Sequence, residues 1–266
     1  RKCQLVLHHH SYKYIARQIW YMRLLVSTAG SKATHVFLCN QMESRFRAVY
    51  PGAYGSLICP NPVTDARIVA HFERAPDPAP KLILTIGFLS NLMFQKGIRE
   101  FIEVLRHGAA QGMQIRGVMA GSAMTREVQV FLDAAKLELG DRLELLGAVH
   151  GSRKISFFQS IDVQIFPTQY PTEAFSLVLM EGLLAGCPVI TYARGCIPLL
   201  RCLSTAHLLP PEVDFPRSAL PVLQEWTAVP QRMSALKAQA RLDGLALHRK
   251  HLDAQATLIR QIVLEP

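Results

Sequence analysis

Two carboxylates eight positions apart, Glu173 and Glu181, lie in the segment Phe166–Ile190, which reads as strand, loop, helix and strand. The loop carries Glu173 and the helix carries Glu181. The amides of Phe175, Ser176 and Leu177 open that helix, where free N–H groups and the helix dipole favour an anion. An anion cradle flanked by two hydroxyl-binding carboxylates suits a nucleotide-linked sugar. Phosphates would sit at the helix end, ribose at one carboxylate and hexose at the other. A solvated helix residue and a plain loop carboxylate would explain a bare pair of glutamates. Here Glu181 interrupts an apolar face formed by Leu177, Val178 and Leu184. A lone buried carboxylate there is costly without a partner.

Other residues need weighing beside these. Lys96 ends a strand-loop segment, Thr85–Gly97, and a lysine beside a leaving phosphate neutralises charge; alone it reads as a solvated loop lysine. His8, His9 and His10 follow a short strand. Adjacent histidines point in alternating directions, so they do not suit a metal site, and core or surface histidines are the plain alternative. The six cysteines form no C-x-x-C pair, and their scatter predicts reduced thiols rather than a disulfide framework.

The elements that position these residues follow from hydrophobic period and from turn residues. Strands are predicted at 5–7, 35–39 and 57–59, with helices at 13–29 and 41–49 between them. Residues 74–80 hold three prolines and read as a linker. A second series has strands at 81–88, 115–120, 143–146, 163–166 and 189–192. Its helices fall at 97–110, 127–139, 154–160, 176–185, 220–226 and 233–264. Alternation of this kind gives an α/β fold with parallel sheets, whose ligands bind at the carboxyl ends of the strands. The loops to watch are therefore 87–97, 121–125, 147–153, 167–175 and 193–198.

The run Pro171-Thr172-Glu173-Ala174-Phe175-Ser176, continued by Glu181-Gly182 and Gly186-Cys187-Pro188-Val189, resembles the E-x7-E signature of retaining glycosyltransferases of family 4. These enzymes have the two-Rossmann-domain (GT-B) fold. Two further segments are similar to family segments: Thr85–Gly97, and Leu145–Lys154, which would frame the base. The resemblance implies that Glu181 binds ribose, that Glu173 acts catalytically on the donor sugar, and that Phe175, Ser176 and Leu177 hold the diphosphate. It implies phosphate contacts for Lys96, with Asn91 at the family's arginine position. It places Val149 at the base, Lys154 near the ribose or diphosphate, and a catalytic histidine at His9, with His10 next. Arg194-Gly195-Cys196-Ile197-Pro198 resembles a Gly-Gly-x-Pro turn, with Cys196 at the second glycine.

The same resemblance implies one complete donor nucleotide-sugar domain, residues 81–230, and the carboxyl-terminal part of an acceptor-side domain, residues 1–73. Residues 231–266 would form a helix packing back on the first domain. More strands of that domain are expected before Arg1. The expected reaction is sugar transfer from a nucleoside-diphosphate sugar to a glycan or lipid-linked acceptor, with retention. Cell-envelope polysaccharide biosynthesis is an expected setting. No cofactor or metal is expected, because Lys96 and the helix end would neutralise the leaving phosphate.

Charge and hydropathy bound the alternatives. The net charge is +9, but residues 1–60 hold eight Lys or Arg against the single acid Glu43. That basic piece raises two other readings, nucleic-acid binding and peripheral contact of the helix at 13–23 with an anionic membrane. No nucleic-acid motif accompanies the charge, so nucleic acid is not an expected partner. No uncharged apolar run reaches 18 residues, so a membrane span is not expected. A cytoplasmic location, peripheral at the membrane face, is expected. A non-catalytic nucleotide-sugar-binding fragment is the remaining alternative. No G-x-G-x-x-G, P-loop or G-x-S-x-G occurs, and no D-x-D either.

Overall fold

The computed structural model describes residues 5–75, 81 and 83–263. Chain order is β1 (Leu5–His9), α1 (Lys13–Ala16), α2 (Trp20–Ala29), β2 (Ala33–Phe37), α3 (Asn40–Val49), β3 (Gly55–Ile58) and α4 (Ala66–Glu73). Then come β4 (Leu84–Leu89), α5 (Ile98–Ala110), β5 (Ile115–Ala120), α6 (Arg126–Leu139), β6 (Leu143–Leu145), α7 (Ser152–Ser160) and β7 (Val163–Phe166). The chain ends with α8 (Leu177–Leu184), β8 (Val189–Tyr192), β9 (Ala206–Leu209), α9 (Phe215–Thr227) and α10 (Pro230–Val263).

Two sheets result, with spatial orders β1-β2-β3 and β6-β5-β4-β7-β8-β9, and every pairing is parallel. β4, β7 and β8 are buried along their whole length, which is what helices on both faces of a parallel sheet require. The second sheet grows outward from β4 in one direction and from β7 in the other. The point between them is a topological switch, where a crevice opens outside the carboxyl ends of the strands. The loops leaving β4 and β7 are the two that carry Lys96 and Glu173.

Several elements depart from the sequence expectation. The helix expected over 13–29 breaks, because Arg17 and Ile19 are extended. The Tyr50 hydroxyl holds the break: it donates to the Tyr14 carbonyl at 2.7 Å and accepts from the Ile19 amide at 2.9 Å. α4 and β9 were not expected. α4 starts at Asp65, whose carboxylate accepts the Arg67 amide. Its buried residues Ile68 and Phe72 pack with Leu89, Val118, Phe157 and Ile161 of the second unit. A boundary at residue 73 thus assigns to the first unit a helix that the second sheet buries. Residues 76–80 of the expected linker lie outside the described residues.

The cysteine expectation is corrected. Cys39 and Cys196 form a disulfide between the two units, while Cys59, Cys187 and Cys202 are free thiols. Sequence spacing does not reveal the pair, because the cysteines are 157 positions apart and only the fold brings their Cα atoms to 5.9 Å.

α10 runs along the second unit and reaches the first. Gly244 lets it close on α8, where a Cβ would stand 2.5 Å from the Leu184 nitrogen. Lys237, 4% exposed, donates to Asp162 Oδ1 at 2.8 Å and to the Ile161 carbonyl at 3.0 Å. Asp162 Oδ2 accepts the Thr85 amide, so one carboxylate ties α10 to the entry of β4. Farther along, His248 Nδ1 accepts the Val63 amide and His251 Nδ1 meets the Asn61 carbonyl. Lys81 Nζ also lies 3.2 Å from Asp162 Oδ1, so the carboxylate keeps one cation if Lys237 is removed. Lys237→Ala is therefore expected to lower unfolding stability by about 1–3 kcal/mol in urea titrations, the cost of a lost buried hydrogen-bonding partner.

Candidate active site

The site is built where the β4 and β7 loops meet. A short 3-10 turn, Phe94–Lys96, ends at Gly97, which adopts φ +93°. A Cβ there would fall 2.3 Å from the Pro167 carbonyl oxygen, so glycine is what lets the β4 loop lie on the β7 loop. Lys96 is thereby placed with Nζ 2.6 Å from Glu173 Oε2. The Thr168 hydroxyl donates to the same oxygen at 3.1 Å. The Tyr170 ring lies 4.6 Å from Nζ, in range of a cation–π contact. Glu173 is 8% exposed, so its charge depends on these partners.

The second carboxylate has a matching arrangement. Lys154 on α7 places Nζ 2.6 Å from Glu181 on α8. Both carboxylate oxygens lie 2.6 Å from the ammonium; Oε1 accepts its hydrogen bond, and Oε2 is buried in the ion pair without hydrogen-bond geometry of its own. Burial raises the Glu181 pKa above the ordinary carboxylate value, while Lys154 pulls it back. The partner that a buried Glu181 requires is thus supplied from another helix.

A cavity of about 520 Å³ opens beside this second pair. Lys154, Glu181, Ser176, Leu177, Val149 and Asn91 all line it. Ser176 is the N-cap of α8, and its side chain makes no capping bond. The Leu177 and Val178 amides, at the start of α8, therefore lack an intrahelical acceptor beside the cavity, while the Leu179 amide donates to the Ser176 carbonyl. Residues that the sequence reading did not single out complete the wall: Thr64 ahead of α4, Ser90 beside Asn91, Gly121 and Ser122 after β5, and His150 beside Val149. Their positions at strand ends were legible; their side chains carry no distinctive signal. Phe175, 8% exposed, does not line the cavity and packs edge-on to His251. Lys96 and Glu173 lie outside its lining, engaged with each other.

His9 is not brought to this group. It is 2% exposed within the first sheet, with Nδ1 2.8 Å from the Tyr14 hydroxyl and Nε2 2.8 Å from His35 Nδ1. Its ring stacks on Phe37. In a strand that buries one side, the inward residue of three consecutive histidines becomes core, and the alternation His8 out, His9 in, His10 out shows it. His10 is exposed and contacts the Asn61 side chain. Among the described residues, no group of three or more His, Cys, Asp or Glu is placed to hold a metal ion. No described helix is long and apolar enough to cross a membrane.

Comparison with known proteins agrees with the geometry. Residues 71–200 match the family model of glycosyl transferases group 1. The phosphatidylinositol N-acetylglucosaminyltransferase gpi3 subunit of Schizosaccharomyces pombe is 30% identical over 152 residues, covering 57% of this chain and 33% of that protein. The chain thus spans about one third of the length of that curated relative. Sucrose-phosphate synthase from Thermosynechococcus elongatus superposes with TM-score 0.69 at 22% identity, covering 99% of this chain and 69% of that one. HepE of Anabaena, solved with UDP and glucose, gives TM-score 0.67 at 16% identity, covering 96% and 71%. The fold is α/β with parallel sheets, as in GT-B glycosyltransferases.

Burial pushes the pKa values of both His9 and His35 well below 6.5. The folded state then refuses protons that the unfolded chain accepts. Their stabilising effect is whole above pH 6.5 and is lost as pH falls toward the depressed folded values. Between pH 7.5 and pH 5, unfolding free energy should drop on the order of 2 kcal/mol per ring. Denaturant titrations of His35→Gln should show a smaller drop over the same interval.

Proposed function

We propose that this chain is the donor-binding part of a retaining glycosyltransferase that uses a nucleoside-diphosphate sugar. The observation that carries this reading is the pairing of both motif carboxylates with lysines, Lys96 with Glu173 and Lys154 with Glu181, the second pair lining the switch-point cavity. Ribose would take a carboxylate oxygen of Glu181 once Lys154 turns toward the phosphates. The base would lie against Val149, and the diphosphate would lie at Ser176, Leu177 and Lys154.

Donor binding would then be an exchange of partners. A diphosphate draws Lys96 away from Glu173, and the released carboxylate accepts hydrogen bonds from sugar hydroxyls. Each buried charge keeps a partner before and after, which avoids the penalty of a stranded ion. Lys96, the Asn91 amide and the first amides of α8 would stabilise the leaving phosphate, so no metal is called for. Phe175 would act by packing the Glu173 loop against α10. With His9 held in the core, the reading gives the chemistry to the donor-side groups. The leaving phosphate would take the acceptor proton on the same face, which gives retention.

Glu173→Ala should reduce transfer at least about 100-fold and leave UDP or GDP affinity within about threefold, by radiolabel transfer assay and calorimetry. Full turnover in this variant would defeat the assignment. Nucleotide binding with no transfer by the unmodified chain would favour the binding-fragment reading.

A second reading concerns where the enzyme works. Trp20, Tyr21 and Leu24 are exposed on α2, Trp20 at 76%. Arg17 and Arg23 are exposed beside them, and no acid precedes Glu43. Interfacial aromatics amid uncompensated cations suit an anionic bilayer surface and hence a lipid-linked acceptor. The chain should float with vesicles containing phosphatidylserine at low salt, and less so at 0.5 M salt. Trp20→Ser with Leu24→Ser should abolish flotation, and a chain that stays with the soluble fraction throughout would end this idea.

A further inference from the structure

Cys39 and Cys196 stand at the carboxyl ends of β2 and β8, one on each side of the crevice. Cys39 is the N-cap of α3, and its Sγ accepts from the Met42 amide at 3.4 Å. Cys196 occupies a position where the sequence pattern has a glycine. Its amide donates to the Ala174 carbonyl at 2.6 Å. Next to it, Gly195 takes φ +56°, and a Cβ there would fall 2.3 Å from the Glu173 carbonyl oxygen. The turn that carries Cys196 therefore rests on the backbone of Glu173. The Tyr12 hydroxyl lies 4.0 Å from one sulfur and 3.8 Å from the other. The two sulfurs thus fasten the first unit to the loop that presents the motif carboxylate.

Glu173 is held by Lys96, and the open cavity stops short of both. A core of this size does not need a single covalent staple for folding. The remaining buried cysteines, Cys59 and Cys187, stay as thiols. We propose that Cys39 and Cys196 form a redox-modification site: oxidised, it clamps the first unit onto the Glu173 loop and shuts the sugar end; reduced, it releases that loop. The proposal rests on the nucleotide-sugar reading above.

The reductant is a dithiol. Its thiolate attacks one cysteine Sγ, the S–S bond breaks, and the expelled thiolate takes a proton. The second thiol of the reductant resolves the mixed disulfide. Two electrons and two protons pass to Cys39 and Cys196, and the reductant leaves as its own disulfide. Both cysteines are nearly inaccessible, at 3% and 1% exposure, so attack waits for the units to part.

The test compares the chain oxidised and after dithiothreitol, with peptide mass mapping to establish the Cys39–Cys196 link. UDP, GDP, UDP-glucose, UDP-N-acetylglucosamine and GDP-mannose are titrated calorimetrically into each form. Reduction should tighten a nucleotide sugar about tenfold while leaving the bare nucleotide within about threefold. Cys39→Ser and Cys196→Ser should each give the reduced affinity with or without reductant, and Cys202→Ser should respond as the parent does. The unmodified chain alone suffices if a variant fails to fold. Equal nucleotide-sugar affinity in both forms overturns the clamp, as does the absence of the linked peptide after oxidation. Failure of every form to bind any nucleotide overturns the nucleotide-sugar reading instead.

Discussion

A carboxylate buried at the carboxyl end of a parallel sheet must have a cation beside it, and much of the second unit serves that requirement. Glu173 and Glu181 are themselves buried, Glu181 on an apolar helix and Glu173 at the inner end of a partly exposed loop. Their lysines come from other elements, Lys96 from the β4 loop and Lys154 from α7. β4 and β7 must be neighbours for the first pair to form, and α7 must lie against α8 for the second. The strand order β6-β5-β4-β7-β8-β9 supplies both adjacencies. Gly97 then removes the remaining steric obstacle, the Pro167 carbonyl. Topology, loop contact and ion pairing thus form one chain of dependence.

Legibility in the sequence followed this same chain. Strands β5, β7 and β8 stand at the predicted residues, because a parallel strand buried on both faces is a plain apolar run between turn residues. Glu181 was readable as partnered because an apolar helix face makes an unpaired carboxylate improbable; which lysine answers it was not readable from that face. β9 was hidden because Ala206–Leu209 is short and sits in a Leu-rich stretch that fits helix or strand equally well. The break between α1 and α2 was hidden for another reason. Apolar spacing continues through Arg17–Ile19, and the extended conformation is held by the Tyr50 hydroxyl, 31 to 36 positions away from its partners, and by the Gln18 side chain on the Val49 carbonyl.

His9 shows the limit of reading a side chain by its residue type. A histidine at a strand end invites a catalytic role, but strand alternation turns His9 inward among Phe37, Phe46 and His35. The neighbouring residues, His8 and His10, take the solvent side. Once inside, a neutral imidazole with both nitrogens engaged is a satisfied core group, and it becomes a liability only in acid. The disulfide is the complementary case. Nothing local to Cys39 or Cys196 predicts a bond, since the cap of α3 and the turn after β8 meet only when the two sheets are docked.

The two lysine pairs also bear on how one site can be stable both empty and filled. An anion-binding crevice lined with bare cations would repel itself and destabilise the fold while waiting for a ligand. Here each cation rests on a carboxylate whose own task, under the proposed function, begins when the ligand arrives. Lys96 illustrates this. Its present partner is the group that would next receive sugar hydroxyls, and Thr168 still donates to Glu173 after Lys96 turns away. Glu181 is in the same position, paired with Lys154 through both oxygens until a ligand draws the lysine away. Under the proposed function the same side chains would satisfy the folding constraint and meet the ligand, which is why the motif can be rich in apolar residues and still hold two carboxylates, each paired with a lysine.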